Sequence, residues 1–196
     1  GGKFIQPKKQ VFAGNAGTTM RFLTALSSLV DGQTIITGDK RMKQRPVKDL
    51  LDALQQLGVK SESKEGFAPV KIYGGTFNGG NVELKGDISS QYLSSILMCS
   101  PYAKNDVKIS ITGRLTSNPY VDITIDIMKG FGVRVKNFNY KKFIVKSGRS
   151  YAPRKYRIEG DASSASYFFA AAAITKGRIK VNNINPNSKQ GDIKFV

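Results

Sequence analysis

Three short runs of small and polar residues could build a binding site: Asn15-Ala16-Gly17-Thr18-Thr19, Ser89-Ser90-Gln91 and Asp161-Ala162-Ser163-Ser164. Each stands directly before an apolar stretch. A helix starting there would present unpaired N–H groups and the positive end of its dipole, which together favour an anion. Gly17 would let a ligand approach the backbone closely. The same residues also read as plain N-caps, because Ser89, Asp161 and Ser163 can close a helix start without any ligand. Two arginines stand beside this set. Arg21 lies one turn into the first apolar stretch, and Arg45 directly precedes Pro46, where extended backbone is favoured. A guanidinium there could grip a carboxylate or phosphate through two parallel hydrogen bonds. Each arginine reads equally as a surface cation.

Other chemistries are excluded or weakened. The chain has no histidine, which removes imidazole acid–base catalysis, and one cysteine, which leaves nothing for a zinc site. Asp122 and Asp126 sit at helical spacing without a third ligand nearby, so they read as the wet face of a helix rather than a metal pair. Neither a metal nor an organic cofactor is expected, and no Walker or dinucleotide-type glycine motif occurs. Cys99 lies in an apolar run and reads as an inert core residue. Thirty-one basic against fourteen acidic side chains give a net charge of +17, which attracts anions. Nucleic acid and small phosphorylated substrates are both candidates, and the lysines are dispersed without long runs. No apolar run approaches the roughly 20 residues of a membrane span, so no membrane partner is expected. The lone cysteine points weakly to a reducing compartment. Gly1-Gly2-Lys3-Phe4 does not read as a signal peptide, and without an initiator Met the chain is expected to begin inside a longer protein.

The elements that must position these residues repeat. Gly17, Ser89 and Ser163 are spaced by 72 and 74 residues; Gly58 and Gly132, each just past an apolar helical stripe, by 74; and the strand-like runs ending at Gly38 and Gly113 by 75. Shared register across independent markers signals a repeated unit. Each unit reads as helix, strand, helix, strand, strand. Arg45-Pro46 and Asn118-Pro119 open the second helices, with glycine at their ends. Paired strands follow at 60–62 with 70–73, and at 134–136 with 143–146. The run Ser166 to Ile174 is apolar all round, so that helix is expected to be fully buried. The result is an α/β chain of repeated units with buried helices, its third unit cut short after Gln190-Gly191-Asp192.

Several strings resemble one family. Gly14-Asn15-Ala16-Gly17-Thr18-Thr19-Met20-Arg21 resembles the glycine-rich signature of the 5-enolpyruvylshikimate-3-phosphate synthases, and Arg41-Met42-Lys43-Gln44-Arg45-Pro46 resembles their second signature. Ser89-Ser90-Gln91-Tyr92-Leu93, Asn118-Pro119-Tyr120-Val121-Asp122 and Glu159 to Ala165 follow in the family's order. The resemblance implies the enolpyruvate transferase fold of βαβαββ units in two domains, with 1–158 most of the first domain and 159–196 the beginning of a unit of the second. It implies transfer of the enolpyruvyl group of phosphoenolpyruvate to the 5-hydroxyl of shikimate 3-phosphate. Asn15, Gly17, Arg45 and Gln91 would then contact phosphoenolpyruvate, and Ser89, Ser90, Gln91, Ser117 and Tyr120 would hold shikimate 3-phosphate. Arg21 and Asp161 would take supporting roles. No catalytic residue is expected here, because the family's proton-transfer Asp and Glu have no counterpart in this stretch; the rest of the parent chain would supply them. A cytoplasmic location follows, or a plastid if the parent is from a plant or alga. The competing readings are a UDP-N-acetylglucosamine enolpyruvyl transferase, a nucleic-acid-binding domain of the same repeated fold, and a non-catalytic interaction domain.

Overall fold

A computed structural model describes residues 4–87 and 89–195. The N-terminal Gly1-Gly2-Lys3, the Ile88 that precedes the second polar cluster, and Val196 lie outside the described residues. The chain forms two compact units, the first running to Ala152 and the second starting at Pro153.

The first unit contains one motif twice. Its first copy is β1 (Val11–Phe12), α1 (Gly17–Leu26), β2 (Gly32–Thr37), α2 (Lys48–Gln56), β3 (Lys60–Lys64) and β4 (Phe67–Gly74). Its second is β5 (Gly80–Lys85), α3 (Ser90–Cys99), β6 (Val107–Thr112), α4 (Asn118–Gly130), β7 (Val135–Phe138) and β8 (Lys142–Val145). The two four-stranded sheets have the same order, β1-β2-β4-β3 and β5-β6-β8-β7, each with one parallel pair followed by antiparallel neighbours. The repeat read from residue spacing is therefore a βαβαββ unit. Strands β1 and β5, which the spacing markers alone left unread, complete it.

Local chemistry explains the helix boundaries. Both second helices end in the same hydrogen-bond pattern. Val59 N–H donates to Leu54 O at 3.0 Å and Gly58 N–H to Gln55 O at 3.0 Å; Val133 N–H donates to Met128 O at 2.9 Å and Gly132 N–H to Lys129 O at 3.0 Å. That closure requires positive φ at the glycine, observed as 87° and 91°. Pro119 lies in the first turn of α4, as expected. Pro46 does not open α2: Val47 is its cap, because the Val47 N–H is taken by Gly66 O at 2.8 Å and held outside the helix.

The core of this unit is one contiguous cluster running from Ala13 to Val145. Helix α3 is its centre, with Ser90, every residue from Tyr92 to Leu97, and Cys99 buried. Its buried hydroxyls are satisfied at short range. Ser95 donates to Tyr92 O at 2.8 Å, and Ser94 pairs with Thr124 of α4 at 2.8 Å. Thr24 of α1 likewise donates to Met20 O at 2.7 Å. Small side chains that bond back to their own helix allow close packing without orphaned polar groups. Cys99 is buried, and burial alone pushes its thiol up to about 12, which keeps it protonated and inert.

The second unit holds α5 (Ala162–Thr175) and a short 3-10 turn (Gly191–Phe195). Two expectations fail here. No strand is found among its described residues, and α5 is exposed rather than buried: Tyr167 is 77% and Ile174 82% accessible, with only Ala162 and Ala165 buried. The physical reason is the same for both. A strand needs neighbours to form a ladder. Residues 158–160 make scattered bonds rather than a ladder: Gly160 N–H donates to Asn183 O at 2.7 Å, Asn183 Nδ2 to Ile158 O at 3.0 Å, Gln190 Nε2 to Gly160 O at 2.8 Å and the Ser188 hydroxyl to Glu159 Oε1 at 2.6 Å. Without a sheet, this unit has nothing to cover its helix.

Candidate functional site

Topology fixes where the polar clusters lie. In each repeat the helices connect strands that run parallel, so each helix begins at the C-terminal edge of those strands, the edge where α/β folds place ligands. Helices α1 and α3 meet at that edge. Gln91, in the first turn of α3, donates from Nε2 to Thr18 Oγ1 of α1 at 3.0 Å, and Arg21 of α1 donates to Gln91 Oε1. Arg21 also reaches Ser89 Oγ at 3.5 Å. Its guanidinium lies 5.2 Å over the ring of buried Tyr92, whose hydroxyl donates to Pro46 O at 2.9 Å. Burial raises the Tyr92 phenol above its ordinary value, against a lowering by the Arg21 charge.

The start of α1 has no side-chain cap. Ala16 is its N-cap, and an alanine leaves the first-turn N–H groups to solvent or ligand. Arg45 lies against this start. A Cβ on Gly17 would sit 2.5 Å from Nη2 and 2.8 Å from Cζ of Arg45, so only glycine lets the guanidinium rest there. Arg45 Nη1 donates to Asn15 O at 3.4 Å. Its backbone is extended, with φ −99° and ψ 119°, as the following proline favours. Lys40, Arg41, Gln44 and Arg45 line an open depression next to it. One uncapped helix start, one guanidinium and further exposed cations make a surface suited to a small anion.

The sequence-derived residues thus fall into groups. Asn15, Gly17 and Arg45 are together; Ser89, Gln91 and Arg21 are together and are joined to the first group through α1. Ser90 is buried, at 5% accessibility, while Ser89 is partly open. Ser117 is the N-cap of α4, held in a left-handed conformation with φ 58° and ψ 48°, and its side chain makes no cap bond. Tyr120 is 58% accessible one turn later. Both start α4 at the same strand edge as α3. Asp161 caps α5 in the second unit, accepting from Ser163 N–H at 3.1 Å and from the Ser164 hydroxyl at 2.5 Å. Asp122 accepts from the Tyr140 hydroxyl at 2.9 Å on both oxygens, and no cluster of three metal-binding side chains occurs among the described residues. Sequence reasoning gave no role to Thr18, Tyr92 or Lys40. Thr18 lay inside a quoted motif, but its partner is 73 residues away in the chain, which spacing does not reveal.

The family model for EPSP synthase (3-phosphoshikimate 1-carboxyvinyltransferase) matches residues 1–196. The chain belongs to the EPSP synthase family. Among curated relatives, the 3-phosphoshikimate 1-carboxyvinyltransferase of Shewanella halifaxensis is 52% identical over 189 residues, 95% of this chain and 44% of the relative. That of Escherichia coli O1:K1 is 50% identical over 191 residues, 96% of this chain and again 44% of the relative. The chain therefore spans under half the length of the curated relatives it matches. The solved EPSP synthase of Acinetobacter baumannii superposes with a TM-score of 0.72 at 26% identity, over 86% of this chain and 37% of that one. The repeated βαβαββ architecture is that of the enolpyruvate transferases. No helix among the described residues is long and apolar enough to cross a membrane.

Proposed function

We propose that this chain supplies one substrate-binding wall for transfer of the enolpyruvyl group of phosphoenolpyruvate to the 5-hydroxyl of shikimate 3-phosphate. The observation that carries it is the Arg45 guanidinium resting on Gly17 at the uncapped start of α1, with Gln91 reaching across from α3. That arrangement offers one bidentate cation and several N–H donors to a single small dianion. We assign phosphoenolpyruvate to Asn15, Gly17, Arg45 and Gln91, and shikimate 3-phosphate to Ser89, Ser90, Gln91, Ser117 and Tyr120. In the reaction the 5-hydroxyl oxygen adds to C2 of phosphoenolpyruvate and gives up its proton while C3 takes a proton and becomes a methyl group; phosphate then leaves C2 as C3 returns a proton, and the enol ether remains.

These residues bind and orient, and most of the rate would come from enclosing two anions in one geometry. None of them is a carboxylate or an imidazole, so none suits the proton transfers. We infer that the rest of the parent chain is the necessary partner, that the crossing into it lies near Glu159, and that this chain alone binds without turning over. A cytoplasmic setting suits this reading; the relatives named above are bacterial and lend the plastid expectation no support.

Amide shifts of the labelled chain, titrated with each substrate, test the assignment. Arg45→Ala should weaken phosphoenolpyruvate roughly ten- to a hundredfold, the range of a lost charge-assisted pair, and spare shikimate 3-phosphate. Ser89→Ala with Ser90→Ala should do the reverse. Shifts confined to sites remote from Gly17, Ser89 and Gln91 would overturn the reading.

A further inference from the structure

The side chain of Arg21 faces α3 rather than the open depression. Its donors go to Gln91 Oε1 and Ser89 Oγ, and its plane covers the Tyr92 ring. A guanidinium has donors and no acceptor. The atom of the Gln91 amide that faces it must therefore be the carbonyl oxygen, and Nε2 must be the atom on the Thr18 side. Nε2 carries two N–H donors. One is spent on Thr18 Oγ1, and the second has no partner among the described residues. The Thr18 hydroxyl, having accepted from Gln91, keeps its own proton to donate. If the amide turned over, its N–H groups would meet the donors of Arg21, and its carbonyl oxygen would stand where an anion should sit.

We propose that Arg21 is a positioning residue, one that locks the Gln91 amide so that the site presents an N–H donor, not a carbonyl oxygen, to the anion. Buried Tyr92 supports the lock from below: its ring seats the guanidinium, and its hydroxyl holds the Pro46 carbonyl that follows Arg45. One connected set, Thr18–Gln91–Arg21–Tyr92–Pro46, thereby fixes the two groups on which the anion would rest. The proposal builds on the assignment of Gln91 to phosphoenolpyruvate, and its test separates the two.

The isotopically labelled chain is titrated with phosphoenolpyruvate while the backbone N–H of Gly17 and the side-chain N–H pair of Gln91 are followed together. In the unaltered chain both shift. Silence at both defeats the substrate reading and the proposal with it; a response at Gly17 without one at Gln91 defeats the proposal alone. In Arg21→Met, which keeps an apolar stem over Tyr92 but no donor, the Gly17 response persists with affinity about tenfold weaker. The Gln91 side-chain shift at saturation is lost. A purely electrostatic role for Arg21 would weaken both responses together and leave the saturating Gln91 shift intact, which overturns the proposal. Arg21→Lys still offers donors only, and it restores the Gln91 response; equal loss in the Lys and Met variants assigns the effect to guanidinium packing and overturns the lock. Thr18→Val decides independently of whether either Arg21 variant folds. It leaves the carbonyl anchored on Arg21, so the Gln91 response survives; its loss would show that Thr18, not Arg21, sets the amide.

Discussion

At the start of α3 a single serine caps the helix, through a 3.3 Å bond from Gln91 N–H to Ser89 Oγ. At the start of α5 several side chains close the same groups. Gln190 accepts from Ala162 N–H at 2.7 Å, Asp161 accepts from Ser163 N–H at 3.1 Å and from the Ser164 hydroxyl at 2.5 Å, and Asp192 accepts from the Ser163 hydroxyl. The bodies of the two helices differ in the opposite sense. α3 is buried along almost its whole length, and α5 has Tyr167, Phe168 and Ile174 accessible at 77%, 56% and 82%. Serine-bearing clusters before apolar helices are therefore two different devices. Where the body of the helix is locked in a core and the neighbours are Arg21 and Thr18, the cluster is capped by Ser89 alone and keeps a Gln91 donor that the proposed ligand would use. Where acidic side chains spend the donors locally, the cluster is a cap.

The largest expected effect sharpens the contrast between the helix bodies. Leu97 of α3 is fully buried and Phe168 of α5 is half open. Leu97→Ala should cost about 2–5 kcal/mol of unfolding free energy in a urea titration. Phe168→Ala should change it by less than about 0.5 kcal/mol, as for other exposed positions. Equal losses would mean that α5 is covered in solution, and the contrast would collapse.

A smaller effect concerns the open start of α1. Gly17→Ala places a methyl group where the Arg45 guanidinium lies. The guanidinium is the end of a flexible chain and can swing away, and alanine favours a helix over glycine by up to about 1 kcal/mol. The variant should therefore unfold no earlier than the parent while binding phosphoenolpyruvate about tenfold more weakly, the cost of roughly one charge-assisted hydrogen bond. Affinity and stability, measured on one sample by isothermal titration and thermal melting, should move in opposite directions.

Much of this was legible from residue types. The 74-residue echo of Gly58 in Gly132 located two helix ends because one backbone conformation there demands glycine. The helix starts at Gly17, Ser90 and Ala162 followed from small polar residues standing before apolar runs. Strands β1 and β5 were not legible from the spacing markers: Val11-Phe12 is two residues long, and Gly79-Gly80 at the head of β5 reads as a turn. Whether an apolar helix is covered depends on which other elements surround it, and that is absent from the pattern of α5 itself. In the site, Arg45 and Gly17 were readable as types suited to an anion, but their contact was not. The Thr18–Gln91–Arg21 network joins residues about 70 positions apart, and no local pattern encodes it.

The smallest effect tests the caps themselves through pH. The hydroxyl of Ser164, helped by the backbone N–H groups of Ser163 and Ser164, holds the Asp161 carboxyl below its ordinary value against a rise from desolvation. A carboxylate depressed in the folded state adds stability above its unfolded pKa and loses it as pH falls through the folded value. The first turn of α5 should therefore begin to loosen below about pH 4, the ordinary aspartate range, and continue to loosen as pH falls further. The group is exposed and screened, so the loss is modest and local. Ser89 carries no titrating group, and the start of α3 should show no matching step. Amide exchange at Ser164 and Ala165, compared with Tyr92 and Leu93 across an acid series, reads both helices in one experiment. Asp192 and Glu159 also accept hydrogen bonds in the second unit, so Asp161→Asn isolates the one carboxylate. Asparagine caps about as well as aspartate but does not ionise, so this variant should keep the first turn of α5 and flatten its pH response, whereas Asp161→Ala should lose about 1 kcal/mol of local stability at neutral pH. An acid step at α3, or an unchanged step in Asp161→Asn, would show that the two helix starts do not differ in the way their hydrogen bonds imply.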